Sequence, residues 1–269
     1  MYKFKLGVVG YGNMAGAILN GILKSKIIDK NSILVCDVDN EKLNSLDNEI
    51  SKTNSNQEVF DNCEYILIAV KPQIFNSLLT TEKYTTNASA IISIMAGKNI
   101  KTIKNKFISK PTVVRIMPNT PCLVASGMSG LVFDDTKDNK LIDFVTKVFD
   151  SIGKTIVINE SQIDNVSSIS GSGPAYSYMF VNALIKAGIN IGLTFDEAKL
   201  LTIQTLNGSC KMLKDVQSIK DIDELTDRVC SKGGSTIEAV NYLRENNFDN
   251  IISDAIKKCK QRNIELSKI

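Results

Sequence analysis

A short apolar run, Leu6–Val9, breaks at Gly10 into Gly-Tyr-Gly-Asn-Met-Ala-Gly, residues 10–16, and then into a helical pattern from Ala17 to Leu23. No other stretch restricts the fold so much. Gly10 permits a tight turn, Gly12 lets the backbone approach a pyrophosphate, and Ala15 is small enough for the new helix to pack on its strand. Unpaired N–H groups at the start of that helix then face an anion. An acidic residue, Asp37, ends the next apolar run 22 residues past Ala15, close to where a ribose-binding carboxylate is expected. The stretch reads as a dinucleotide site.

The remainder of the first half supports that reading. Apolar runs recur at Ile33–Cys36, Tyr65–Val70, Ala90–Ile94 and Val113–Met117 with helix-like segments between them, which implies βαβ units and a mostly parallel, doubly wound sheet. Two later runs, Gly130–Phe133 and Thr155–Ile158, flank an amphipathic stretch, Leu141–Phe149, and extend the sheet. Beyond about residue 160 the pattern changes to helical segments over 174–190, 195–213, 219–229, 236–246 and 248–267. The expected division is a dinucleotide-binding domain over 1–162 and an all-helical domain over 163–269. The segment from Pro174 to Gly192 is apolar nearly all round, yet it is too short and too interrupted by Asn182, Lys186 and Gly188 to span a bilayer. A helix without a polar face is normally buried, and a second subunit is the expected cover.

Composition removes whole classes of chemistry. The 269 residues contain no histidine, which excludes Ser-His triads and the usual imidazole acid–base groups, and leaves no metal site to expect. Six cysteines, at 36, 63, 122, 210, 230 and 259, show no close pairing and are expected as free thiols. A net charge of +3, with basic residues scattered, points to neither nucleic acid nor an anionic membrane. The first twenty residues lack the long apolar stretch of a secretion signal, so a cytoplasmic location is expected.

Four further motifs carry chemistry. Val70-Lys71-Pro72 closes the third apolar run, and Arg115-Ile-Met-Pro-Asn-Thr-Pro121 closes the fifth with a stiff turn. In an open parallel sheet both would face the ligand crevice at the carboxyl ends of the strands. Ser168–Tyr176 places small residues before a proline positioned to open a helix. Ser231-Lys-Gly-Gly-Ser-Thr-Ile-Glu238 joins two glycines to an expected capping box, Ser235 with Glu238, and suits a small carboxylate.

Taken together, Gly-Tyr-Gly-Asn-Met at 10–14, Val-Lys-Pro at 70–72, Arg-Ile-Met-Pro-Asn-Thr-Pro at 115–121, Ser-Gly-Ser-Gly-Pro-Ala-Tyr at 170–176 and Gly-Gly-Ser-Thr-Ile-Glu-Ala at 233–239 resemble the pyrroline-5-carboxylate reductase family over essentially the whole chain. The resemblance implies a Rossmann domain and a helical domain that interlocks with a partner into a homodimer, in several members assembled into larger rings. It implies hydride transfer from NADPH or NADH to the imine carbon of 1-pyrroline-5-carboxylate, giving L-proline. By position, it assigns Gly10, Tyr11, Gly12, Asn13 and Met14 to the pyrophosphate, with Asp37 at the ribose position. Ala69, Lys71, Pro72 and Asn119 fall at the nicotinamide end. Ser231, Gly233, Gly234, Ser235 and Thr236 form the carboxylate loop, and Thr236 reaches the ring nitrogen as the catalytic residue. Two positions depart from the pattern: Lys232 stands where the family usually has proline, and Cys36-Asp37-Val38-Asp39 stands where NADPH-using members often show serine, threonine or a nearby arginine. The rival readings are a related imine or hydroxyacid reductase of the same plan, and a non-catalytic nucleotide-binding sensor. A hydroxyacid dehydrogenase would need a proton-shuttling lysine early in the first long helix of the second domain, whereas Lys186 lies well along it.

Overall fold

The chain is described here by a computed structural model covering residues 2–72, 74, 75 and 84–267. The apolar runs become strands β1 (Phe4–Val9), β2 (Ile33–Cys36), β4 (Cys63–Ile68), β5 (Ala90–Ser93), β6 (Thr112–Met117), β7 (Gly127–Phe133) and β8 (Gly153–Val157), with β3 (Ser51–Thr53) added at the edge. They form one sheet in the order β3-β2-β1-β4-β5-β6-β7-β8. All neighbours pair in parallel except β6 with β7. Strand order reverses between β1 and β4, and a sheet of this kind opens its ligand crevice at the carboxyl ends on either side of such a switch.

β1 lies between β2 and β4, with Val8 opposite Val35 on one side and Leu67 on the other. Helices cover both faces of the sheet, so its central strands are apolar without alternation. Helices α1 (Asn13–Lys24) and α5 (Asn139–Asp150) pack Ile18, Leu19, Ile22, Phe144 and Val145 on one face. On the other, α3 (Asn56–Asn62) and α4 (Ile100–Lys104) contribute Val59, Phe60, Ile100 and Ile103. A short helix, α2 (Asn40–Asn44), follows β2.

Compactness divides the chain differently from the expected boundary at 162. One unit runs to Pro174 and is rejoined from Cys259 onward; the other is Ala175–Lys258. The short helix α6 (Ile163–Val166) and the π turn Ser167–Gly171 go with the sheet because Ile163 is buried in its core and Ser167 and Ser168 are buried with it. The chain's last helix returns to the same unit, where the Asn263 amide donates to Ser168 Oγ at 3.3 Å and the Cys259 thiol donates to Ser172 Oγ at 3.3 Å.

The second unit is built from α7 (Gly173–Asn190), α8 (Phe195–Met212), α9 (Ile219–Val229), α10 (Ser235–Glu245) and the first part of α11 (Phe248–Leu266), and among the described residues it contains no strand. Capping boxes at Thr194 with Glu197 and at Ser218 with Asp221 start α8 and α9. No residue of α7 is buried within the chain, and Tyr178 and Met179 remain 65% and 73% exposed. Among the described residues no helix is long and apolar enough to cross a membrane.

Candidate active site

The glycine-rich stretch lies at the carboxyl end of β1. Gly10 adopts φ +90°, where a side chain is strained, and a Cβ there would also come within 2.7 Å of Val70 Cγ1. Its N–H donates to the carbonyl of Cys36 at 2.8 Å, which fixes the turn against β2. Gly12 is the N-cap of α1, and a Cβ built on it meets nothing within 4 Å. No side chain caps α1, so its opening amides at Asn13 and Met14 are presented to an anion, while Ala15 is buried against the sheet. The cradle fits the pyrophosphate of a dinucleotide: an uncapped helix start with open space where a side chain would stand.

Asp37 follows β2 immediately, and its carboxylate turns toward the glycine loop. It accepts the Tyr11 N–H at 2.6 Å and the Asp39 N–H at 2.9 Å, with Lys42 Nζ 4.0 Å away. Cys36 points the other way, into the core, and donates to Asn56 Oδ1 at 3.2 Å. Asn54, just past β3, donates to the Asp37 carbonyl at 2.8 Å and to Asn40 Oδ1 at 3.0 Å. This asparagine has no signal in the sequence, because β3 is a polar three-residue edge strand, Ser-Lys-Thr, without an apolar run.

At the carboxyl end of β4, the Ala69 N–H bonds the Val9 carbonyl at 2.8 Å, and Lys71 and Pro72 follow, exposed and half-buried respectively. Asn119, just beyond β6, donates to the Ser170 carbonyl at 3.0 Å and accepts the Met128 N–H at 2.9 Å. One side-chain amide thus ties the proline-bounded turn to both the π turn and β7. A carboxamide retains a second N–H and a second lone pair for a ligand.

The loop Ser231–Thr236 lies in the second unit. Gly233 sits at φ +73°, the Gly234 N–H closes the turn onto the Ser231 carbonyl at 2.9 Å, and Gly234 caps α10. The expected capping box is absent: the helix starts one residue earlier than its sequence pattern suggests, so Ser235 lies inside the first turn, and no side chain caps the end. The consequence is chemical. Of the five helices of eight or more residues with a described N-cap, α5, α8 and α9 are capped by an aspartate, threonine or serine side chain, whereas α1 and α10 begin on glycine with none. Those two are the helices assigned to bind anions. Thr236 is exposed and borders an apolar groove of about 350 Å³ within the same unit.

Residues 160–266 match the family described as pyrroline-5-carboxylate reductase dimerisation, and residues 5–97 match the coenzyme F420-dependent NADP oxidoreductase family. The pyrroline-5-carboxylate reductase of Escherichia coli is 34% identical, with 98% of each chain covered. That of Synechocystis is 30% identical over 99% of both. This chain belongs to the pyrroline-5-carboxylate reductase family. The fold agrees: the crystal structure of the Plasmodium falciparum pyrroline carboxylate reductase with NADP bound superposes at a TM-score of 0.84, with 30% identity and 99% of each chain covered. The Coxiella burnetii pyrroline-5-carboxylate reductase gives the same TM-score at 29% identity. The doubly wound sheet followed by a helical dimerisation region, expected from the sequence, is the family's architecture.

Proposed function

We propose that the chain is an NAD(P)H-dependent pyrroline-5-carboxylate reductase that converts 1-pyrroline-5-carboxylate to L-proline, the last step of proline biosynthesis. The observation that carries this is the pair of uncapped, glycine-started helices, one placed for a pyrophosphate and one for a small carboxylate. In this reading Gly10, Tyr11, Gly12, Asn13 and Met14 hold the pyrophosphate, and Asp37 faces the ribose. Ala69, Lys71, Pro72 and Asn119 shape the nicotinamide end. Ser231, Gly233, Gly234 and Ser235 receive the substrate carboxylate, and the Thr236 hydroxyl hydrogen-bonds the ring nitrogen. Lys232 adds a cation beside an anionic substrate. The functional assembly is a homodimer in the cytoplasm, able to build larger rings, with no nucleic-acid or membrane partner.

The bound coenzyme supplies the hydride. The chain's own residues orient the acceptor and hold the nitrogen, and because a protonated imine already carries its proton, no strong general acid is needed. That matches a chain without histidine. Loss of NAD(P)H absorbance on adding pyrroline-5-carboxylate tests the proposal directly, and tight coenzyme binding without turnover would favour the sensor instead.

Thr236→Val is expected to lower kcat/KM by up to about tenfold, the worth of one neutral hydrogen bond of about 0.5–1.5 kcal/mol, while coenzyme affinity stays within error. An unchanged kcat/KM removes Thr236 from the site.

The pH profile provides a further expected result. Burial pushes the Cys36 thiol up to about 11, with Asp37 and Glu58 adding to the shift, and pushes the Cys63 thiol up to about 12. A raised thiol pKa keeps the proton on, so neither sulfur is a thiolate between pH 6 and 8. With no histidine in the chain, any activity change in that range is expected to follow protonation of the substrate imine, the alternative being a perturbed lysine or one of the other four cysteines. A variant with all six cysteines replaced by serine or alanine should keep the midpoint of the wild-type profile, and a moved midpoint would bring a thiol into the mechanism.

A further inference from the structure

Arg115 lies inside β6, between Ser93 of β5 and Val132 of β7, and it is the one buried charged residue among the described residues. Burial lowers its pKa despite the nearby carboxylates of Glu160 and Asp164. Desolvating a buried ion pair can cost as much as its attraction contributes, and apolar residues of the same volume often serve stability equally well. Stability alone therefore does not account for an arginine at this point of the strand. The bonds around it show another effect. Its Nη1 donates to Glu160 Oε1 at 3.3 Å, and the same oxygen accepts the Ile100 N–H at 2.7 Å. One carboxylate oxygen thus ties β6 to the start of α4 and to the segment that leads from β8 into α6.

Each of those three pieces supplies a wall of one cavity of about 380 Å³. It takes Ala96 and Lys98 from the turn before α4, Met117 from the end of β6, Ile163 and Asp164 from α6, and Pro72 from beyond β4. Pro72 marks it as the crevice at the nicotinamide end. Glu160 does not line this cavity, and Arg115, only 5% exposed, directs its Nη1 to Glu160. Given the reductase reading, on which this rests, we infer that Arg115 and Glu160 are positioning residues: their pair fixes the crevice wall that holds the nicotinamide ring in line with the imine, and Arg115 acts through Glu160. Hydride transfer is sensitive to such support, since misplacing the reacting atoms by about 1 Å can lower a rate about a hundredfold.

The double variant Arg115→Met with Glu160→Gln tests this, because it removes both charges together and the glutamine carbonyl still accepts the Ile100 N–H. Its Tm should stay close to that of the wild type, and so should its affinity for ADP-ribose, the coenzyme fragment that lacks nicotinamide. Turnover should nevertheless fall, with kcat lowered by about tenfold or more, and bound NADH should lose the change in emission that wild-type binding produces. A merely structural pair would lower Tm and leave both readouts of the folded enzyme unmoved. Arg115→Lys, which keeps a buried cation and gives up the guanidinium fork, should lower kcat in the same direction. Unchanged kcat and emission in these folded variants, or affinity for ADP-ribose lost as fully as that for NADH, would each overturn the positioning role. A wild type that binds NADH without turnover would defeat the reductase reading instead, and the emission alone would then decide for or against the pair.

Discussion

Val181→Asp is expected to abolish assembly: the variant should be insoluble, or monomeric and inactive, by light scattering and assay. Val181 lies in α7, whose eighteen residues include none buried within the chain. Its large apolar side chains stay open, with Met179 73%, Phe180 44% and Ile189 42% exposed. A protein in water does not present so much apolar surface on one helix unless something covers it. Residues 160–266 match the family's dimerisation region, which names the cover as a second copy. An unpaired carboxylate buried in such an interface costs several kcal/mol, comparable with the whole stability margin of an ordinary domain. Val181→Ala, which removes only methyl groups, should assemble with a lowered Tm, separating the charge from the lost packing. A monodisperse, active wild-type monomer would remove the basis of this expectation.

The sequence shows most of the fold where one strong local signal decides the structure. β1, β2, β5 and β6 are buried on both faces, so they read as unbroken apolar runs, and their ends lie within two residues of expectation. The five helices of the second half are equally legible, from Pro174 near the start of α7 and the capping residues of α8 and α9. Elements set by long-range contact are the ones lost. β3 is paired only with β2, and its polar Ser-Lys-Thr carries no periodicity. The unit boundary depends on Asn263 and Cys259 reaching back to Ser168 and Ser172, nearly a hundred residues away in the chain. At the site, Gly10 and Gly233 announce themselves because both hold a positive φ, while Gly12 and Gly234 stand as N-caps without a capping side chain. The capping box at Ser235 misleads for a local reason: serine three residues before glutamate is a good capping pair, but Gly234 takes the cap position first.

NADH is expected to be used at least as well as NADPH, with the ratio of kcat/KM values as the readout. The carboxylate of Asp37 faces the glycine loop, held by the amides of Tyr11 and Asp39, and its side chain is 9% exposed. A carboxylate has lone pairs beyond those two bonds with which to accept from ribose hydroxyls. A 2′-phosphate placed there would instead meet a like charge. At about 4 Å and an effective dielectric near 20 that contact costs on the order of 4 kcal/mol before relaxation and screening, and a third of it is about a tenfold preference. Lys42 is the opposing group, 4.0 Å from Asp37 and 3.5 Å from Asp39, and two carboxylates share its charge. The Plasmodium falciparum relative was crystallised with NADP, so the expectation for this chain rests on its own Asp37. Asp37→Ser should weaken both coenzymes, because the Tyr11 and Asp39 amides lose their acceptor, yet it should raise the NADPH-to-NADH ratio by about tenfold. Lys42→Ala should move the ratio the other way if that ammonium receives a phosphate. A wild-type enzyme that already prefers NADPH, with a ratio unmoved in Asp37→Ser, would show that this carboxylate anchors the glycine loop and does not read the ribose.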